Sequence, residues 1–404
     1  MKNIKHIFHT FFILFVVCSL LSCVTNEPSK NNSNQTEIEE IIPSGPINKE
    51  TIDFIPDESN VKLLGRSLFE YDVLVMAYSS TGAEFNIKAK RLDVTIIGDS
   101  AANMKTDNGS AARVVVFVNG ERKLDEMILQ QTQTYTVFDE TEVVEGEVRI
   151  LKVSEATSSL AGISKITVDK DGSICPTAAR DLKIEFIGDS ITCGYGVDDL
   201  NKEHHFRTST EDNTKSYAYK TASKLNADYS MVSISGWGII SGYSGDGSKQ
   251  ANSQLPRYYD RMAFAWGRKI EGIDPVAIKW DFSLFVPDVV VVNLGTNDAS
   301  YTKGDAKKIA EYRDAYVEFI KDIRKKNPEA YIICSLGIMG QDLFDAVDSA
   351  VSEYKVETGD SRVCSLKFNN QIMSDGIAAD WHPSEKTHAK AANLLSAKIQ
   401  EILK

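Results

Sequence analysis

Four short blocks hold the residues whose types and order suit acyl-transfer chemistry. They are Gly188-Asp189-Ser190, Ser235-Gly236-Trp237-Gly238, Gly295-Thr296-Asn297-Asp298 and Asp380-Trp381-His382-Pro383. A serine hydroxyl is not ionised at neutral pH, so it attacks a carbonyl only when an adjacent base takes its proton. Histidine has the ordinary pKa for that exchange. Ser190 is therefore the candidate nucleophile and His382 the candidate base. The oxyanion that forms needs positioned donors, and the backbone N–H groups of Ser190 and Gly236 with the side-chain amide of Asn297 make a plausible set. Losing one such donor costs on the order of 10²–10³ in rate. Taken alone, Ser190 reads better as the N-cap of a following helix. The other three blocks, in order, turn the reading toward catalysis.

Those blocks need elements that bring them to one place. After Pro176, short apolar runs at Lys183–Ile187, Tyr229–Ile234, Asp288–Leu294, Tyr331–Leu336 and Arg362–Leu366 alternate with helical stretches, clearest at Ala306–Lys326 and Ser384–Leu403. Strands alternating with helices predict a mostly parallel sheet covered on both faces. Ser190, Gly236 and Asn297 each follow a strand directly, at the carboxyl edge where open α/β sheets place their sites.

Before that, from about Val61 to Val168, the pattern is of short strands: Tyr71–Tyr78, Glu84–Ala89, Leu92–Ile97, Arg113–Val118, Tyr135–Phe138 and Glu147–Val153, with a hairpin turn at Asn119-Gly120. This predicts an all-β sandwich, jelly-roll-like in character. Gly98-Asp99-Ser100 repeats the letters of the Ser190 block inside this region. No helix follows it before Arg113 and no separate histidine partners it, so it reads as turn chemistry.

The first residues read as a targeting segment. Lys2 and Lys5 precede the apolar run Phe11–Val17, and Leu20-Leu21-Ser22-Cys23 resembles a bacterial lipobox. Residues 1–22 are expected to be a lipoprotein signal peptide and Cys23 the lipidation site, anchoring an exported protein to a bacterial membrane at the periplasmic face or cell surface. Residues 23–50 are rich in Asn, Ser, Glu and Pro and read as a flexible tether. The rest divides into a β-sandwich over 51–175 and a catalytic domain over 176–404. Loss of Lys2 and Lys5 takes the formal charge from −12 to −14, which argues against nucleic acid and polyanionic substrates. Cys175, Cys193, Cys334 and Cys364 have no metal-type spacing and stand as either a disulfide or free thiols.

The ordered blocks resemble the SGNH (GDSL-type) hydrolase superfamily. The chain is more narrowly similar to carbohydrate esterase family 2, through Asn60–Arg66, Val118–Arg122, Gly188–Gly196, Thr210–Tyr217 and Trp381–Ser384. The resemblance implies a two-domain protein, an N-terminal β-sandwich followed by a three-layer α/β SGNH domain. It further implies a serine esterase that removes O-acetyl groups from plant polysaccharides such as xylan or glucomannan. Ser190 would be nucleophile, His382 base and then acid, and Ser190, Gly236 and Asn297 the oxyanion donors.

One departure stands out. The wider superfamily has an aspartate three residues before the histidine, where this chain has Ala379. Asp380, two residues before, is expected to orient His382; a backbone carbonyl in that role, or Asp380 as a helix cap, are the alternatives. Trp237 and Trp381 adjoin catalytic positions and are candidates for stacking on sugar rings, with core packing as the alternative. His204 and His205 read as loop residues. No metal and no cofactor are expected, and the protein is expected to act as a monomer. Two rivals remain: an SGNH lipase or thioesterase, and a glycan-binding surface lipoprotein with a degenerate esterase domain.

Overall fold

Largely apolar runs between turn residues become five parallel strands, and the alternating runs before them become an antiparallel array. The computed structural model describes residues 50–103 and 109–404. The signal, Cys23 and nearly all of the tether lie outside the described residues.

The N-terminal region contains β1 (Thr51–Phe54), β2 (Lys62–Leu64), β3 (Leu68–Glu70), β4 (Val73–Met76), β5 (Thr81–Gly98), β6 (Arg113–Val118), β7 (Glu121–Met127), β8 (Thr132–Lys152), β9 (Ala161–Asp169) and β10 (Ser173–Pro176). They pair in the order β3-β4-β9-β5-β8-β6-β7, with β1 added to β9, and β2 and β10 added to β5. Two pairs of runs that read as separate strands are continuous here. Glu84–Ala89 and Leu92–Ile97 merge into β5, and Tyr135–Phe138 and Glu147–Val153 merge into β8. The polar interruption in β5 is absorbed by register shifts after Ala89 and Leu92, where the Asp169 carboxylate accepts from the Lys90 and Arg91 N–H groups. A side chain thus replaces the missing ladder partner, and the strand bends without ending. Phe85, Val94, Ile96, Val116, Ile150 and Ile166 fill the core between its halves. Asn119 and Gly120 take φ of 52° and 80° in the two-residue turn between β6 and β7, as a type I′ hairpin requires.

The α/β region adds β11 (Lys183–Gly188), β12 (Asp228–Ser233), β13 (Val289–Asn293), β14 (Tyr331–Leu336) and β15 (Val363–Lys367), all parallel, in the order β12-β11-β13-β14-β15. The helices are α1 (Ser190–Cys193), α2 (Tyr217–Lys224), α3 (Thr296–Thr302), α4 (Ala306–Lys326), α5 (Phe344–Thr358) and α6 (Glu385–Ile402). Asp305 caps α4 through Lys307 N and Lys308 N, and Tyr312, Tyr316, Ile320 and Ile323 line its buried face at helical spacing. Val290 and Val292 of β13 pack with α4 and α5. Val289 and Val291 face the opposite way, toward α2 and α6. This is a three-layer arrangement, so the resemblance predicted the fold class correctly.

The β region and the α/β region share their cores. Val73, Val75 and Leu160 join one α/β cluster, and Val115, Leu151 and Val153 join the other. The long irregular connection between β12 and β13 supplies Trp237, Ile239, Ile240, Tyr259 and Met262 to that packing. A polar latch crosses the same junction. Arg66, fully buried, donates to Tyr259 O at 2.6 Å, Arg261 O at 2.8 Å and Glu185 Oε2 at 3.2 Å.

Candidate active site

Ser190 stands where β11 runs directly into α1. The turn is tight: a Cβ on Gly188 would lie 2.0 Å from Thr192 Oγ1, so the chain passes there only as glycine. The helix cap is Asp189, whose carboxylate accepts from Ile191 N at 3.0 Å. Ser190 is thereby the first helical residue and not the cap itself, and its hydroxyl is left for other work. That hydroxyl lies 2.8 Å from Nε2 of His382.

His382 Nδ1 lies 3.2 Å from Ala379 O and 3.1 Å from Asp380 O. Carbonyl oxygens only accept, so Nδ1 carries the proton and Nε2 presents a lone pair to the serine hydroxyl. Burial lowers the His382 pKa to about 4, although both carbonyls and the Asp380 charge pull the other way. The imidazole is therefore neutral at pH 7 and competent as a base. Tyr195 stacks on it with ring centroids 3.9 Å apart, and Phe206 stacks on Tyr195 at 4.2 Å.

Asp380 is at the site, but not with the atom that the sequence suggested. Its carboxylate accepts from Tyr195 Oη at 2.9 Å and Phe206 N at 2.8 Å, and lies 2.9 Å from His205 Nδ1. Its main-chain oxygen is what meets His382. The reason is backbone conformation: Asp380 and Trp381 both take positive φ, 48° and 63°, which swings the Asp380 carbonyl toward the ring. Such a conformation costs on the order of 1–3 kcal/mol per residue and persists only when its surroundings hold it. Here Ala379 N bonds Asp199 O, Asp380 N bonds His204 O, and His382 N bonds Ala379 O. Partial burial disfavours the Asp380 charge, but its three partners outweigh this and keep the carboxyl below its usual range. Nor does Asp380 cap the last helix; Ser384 does, accepting from Thr387 N.

The candidate oxyanion donors come from the loops after β11, β12 and β13. Gly236 has φ of 77°, and its N–H, like that of Ser190, has no partner among the described residues. Asn297, in the first turn of α3, donates from Nδ2 to Trp237 O at 2.8 Å, with its other hydrogen loosely held by Asp189 at 3.3 Å. Asp298, fully buried, accepts from the N–H groups of Ile239, Ile240 and Ser241. It organises the loop that carries Gly236, consistent with a network role and not an acid–base one. Burial pushes Asp298 up to about 6 and Asp189, which also feels the Asp298 charge, to about 7.

These groups open on a cavity of about 530 Å³. Trp381, half exposed, lines it, with Lys202 Nζ 3.8 Å from its ring centroid. Trp237 does not line it. The Trp237 indole is 3% exposed and packs against Tyr258, Phe264 and Trp266, so the core-packing alternative holds and its contribution is the carbonyl that fixes Asn297. The cavity also includes Tyr243, Ser300 and Met339, none of which stood out in the sequence. Tyr243 is two-thirds exposed, and an aromatic a few residues past the Gly236 block was the available signal. Tyr195, five residues after Ser190, carried no sequence signal for a stack on a histidine almost two hundred residues away. Cys175, Cys193, Cys334 and Cys364 are free thiols. His204 bonds Asp199 on a surface loop.

Residues 186–390 match the model of the GDSL-like lipase/acylhydrolase family. Over 357 residues the chain is 32% identical to cellulase/esterase CelE of Acetivibrio thermocellus, covering 86% of this chain but only 40% of that protein. It is 25% identical over 348 residues to an acetylxylan esterase / glucomannan deacetylase of Cellvibrio japonicus, covering 86% of this chain and 90% of that one. A solved family two carbohydrate esterase from Clostridium thermocellum, in complex with cellohexaose, superposes with a TM-score of 0.72 at 30% identity, covering 85% of this chain and 99% of that one.

Proposed function

Given that this chain belongs to the GDSL-like lipase/acylhydrolases, and within them to the family two carbohydrate esterases, we propose that it removes O-acetyl groups from neutral polysaccharides such as xylan or glucomannan. The observation that carries this reading is the 2.8 Å contact between Ser190 Oγ and His382 Nε2, on the wall of a cavity that also holds Gly236 and Asn297. The likeness to an acetylxylan esterase / glucomannan deacetylase of Cellvibrio japonicus and the cellohexaose of the Clostridium structure support a glycan as the acyl carrier.

On this reading His382 Nε2 takes the Ser190 proton as Oγ attacks the acetyl carbonyl. The imidazolium is held by the Ala379 and Asp380 carbonyls through Nδ1–H, so charge develops first against fixed dipoles, with the Asp380 carboxylate acting at a distance and not through a hydrogen bond. The Ser190 and Gly236 amides meet the oxyanion, and Asn297 turns toward it the hydrogen that Asp189 holds weakly. As the C–O bond to the sugar breaks, His382 protonates the departing sugar oxygen to a hydroxyl, leaving an acetyl-serine, and repeats the cycle with water. Trp381 offers a ring face beside the scissile ester. The signal-like residues 1–22 and Cys23 support an exported protein held at a membrane surface.

Acetate release from acetylated xylan and acetylated glucomannan tests the substrate class. Release by the wild type and none by Ser190→Ala is the expected result. Hydrolysis of small esters with no release from either polymer would reject the polysaccharide assignment.

A further inference from the structure

The nucleophile, base and oxyanion loop all belong to the α/β region, but one side chain bonded to that loop comes from the β region. Glu155 follows β8 and is 3% exposed. Its Oε2 accepts from Ser235 N at 3.0 Å, one residue before Gly236. Glu155 is itself held on both sides. Its N–H donates to Glu211 Oε2 at 2.8 Å, and its carbonyl accepts from Lys152 Nζ at 3.1 Å. Lys152, fully buried, places its remaining donors on Ala77 O at 3.0 Å and Ser154 O at 2.6 Å.

Gly236 needs such support. A Cβ built on it would meet nothing within 4 Å, so no side chain holds the residue in place, and glycine is the residue with the widest backbone freedom. On its far side the Gly236 carbonyl accepts from Tyr243 N at 2.7 Å. The peptide that carries the Gly236 N–H therefore lies between two hydrogen-bonded neighbours, one anchored by Tyr243 and the other by Glu155. An oxyanion donor acts through its aim, and displacements near 1 Å cost about 10²-fold.

We propose that Glu155 is a positioning residue for ester hydrolysis: through Ser235 its carboxylate aims the Gly236 N–H at the oxyanion. This rests on the Ser190–His382 acyl-enzyme reading. Burial, and then the neighbouring Glu155, push Glu211 well above the usual carboxyl range, and burial lowers Lys152 below the usual amine range.

The test is steady-state hydrolysis of p-nitrophenyl acetate by the full chain. It is paired with inhibition by a boronic acid, whose tetrahedral adduct on Ser190 presents an oxygen to the same donors. Glu155→Ala is expected to lower kcat about 10- to 100-fold with KM little changed, and to weaken boronate inhibition by a similar factor. Glu155→Asp, which keeps the carboxyl group but withdraws it by one methylene, should show a smaller loss of the same kind. Glu155→Gln keeps an acceptor for Ser235 and should recover most of the kcat lost in Glu155→Ala. A folded Glu155→Asp with full kcat overturns the proposal even where Glu155→Ala does not fold. So does a Glu155→Ala whose defect lies in KM or thermal stability alone, or a Glu155→Gln as impaired as Glu155→Ala. If the wild type hydrolyses no ester, the acyl-enzyme reading falls and this one with it. If the wild type is active and Ser190→Ala is not, a fault in the Glu155 variants' behaviour touches only the positioning role.

Discussion

The chain carries the triplet Gly-Asp-Ser twice, and its two copies are locally alike. Asp99 accepts from Ala101 N at 2.8 Å and Asp189 from Ile191 N at 3.0 Å, each opening one short helical turn with extended backbone at the cap. They differ in what lies beyond. Asp99 spends its second oxygen on Leu160 N at 2.9 Å, tying one β connection to another, and Ser100 is exposed to solvent. Asp189 reaches Asn297, and Ser190 meets a histidine almost two hundred residues away. The triplet thus encodes a capped turn, and long-range partners set one of the two turns against a histidine and the other against a β connection.

The sharpest break in that comparison is Ser190→Ala, expected to lower turnover of p-nitrophenyl acetate by about 10³-fold or more, while Ser100→Ala leaves it unchanged. Equal effects in both would mean that the triplet and not its setting carries the chemistry. Asn297→Ala should cost about 10²–10³ in kcat, the size of one lost oxyanion donor; a change confined to KM would remove it from the donor set. Asp380→Ala should cost only about tenfold, by loosening the left-handed turn that presents its own carbonyl. A loss near 10⁴, typical where a carboxylate orients the base, would show that the side chain contacts His382 during turnover.

The pH profile separates the setting of His382 from that of a solvated histidine. A histidine with its pKa lowered to about 4 stays neutral through pH 5–7, so kcat/KM should hold there and fall only as pH drops through about 4. An imidazole titration of His382 centred near 6.5, followed by NMR, would show that the ring is not desolvated in the working enzyme. The smallest effect is expected from Trp381→Ala, a severalfold rise in KM on acetylated polysaccharide with p-nitrophenyl acetate unaffected. Trp237→Ala, by contrast, should act on stability, by about 3–5 kcal/mol as for a buried aromatic.

Much of this was legible because strand and helix periodicity is local. The β6 and β14 runs and helix α4 fall where the sequence puts them, and the Asn119-Gly120 turn forms as its residues demand. The merging of strands into β5 was not legible, because it depends on Asp169, some eighty residues from the bulge it fills. Asp380 failed for a different reason. Residue spacing shows that an aspartate lies near the histidine, but two consecutive non-glycine residues with positive φ leave no mark in the sequence, so which oxygen faces the ring could not be read. The tryptophans shared a single cue, adjacency to a catalytic block. Only the packing of the β12–β13 connection shows that one of them is enclosed by Tyr258, Phe264 and Trp266.

Arg66 sets a limit on how this protein can be rearranged. The guanidinium comes from the β region, yet it sits with no exposure against Glu185 in the middle of β11, with Tyr259 Oη donating to the same carboxylate at 2.5 Å. Separating the two regions would leave Glu185, in the strand that delivers Ser190, without its Arg66 partner, a loss on the order of 3–5 kcal/mol for breaking such a pair. The catalytic half is therefore not a cassette that can be excised and grafted onto another carrier. Any transplant has to bring its β partner along.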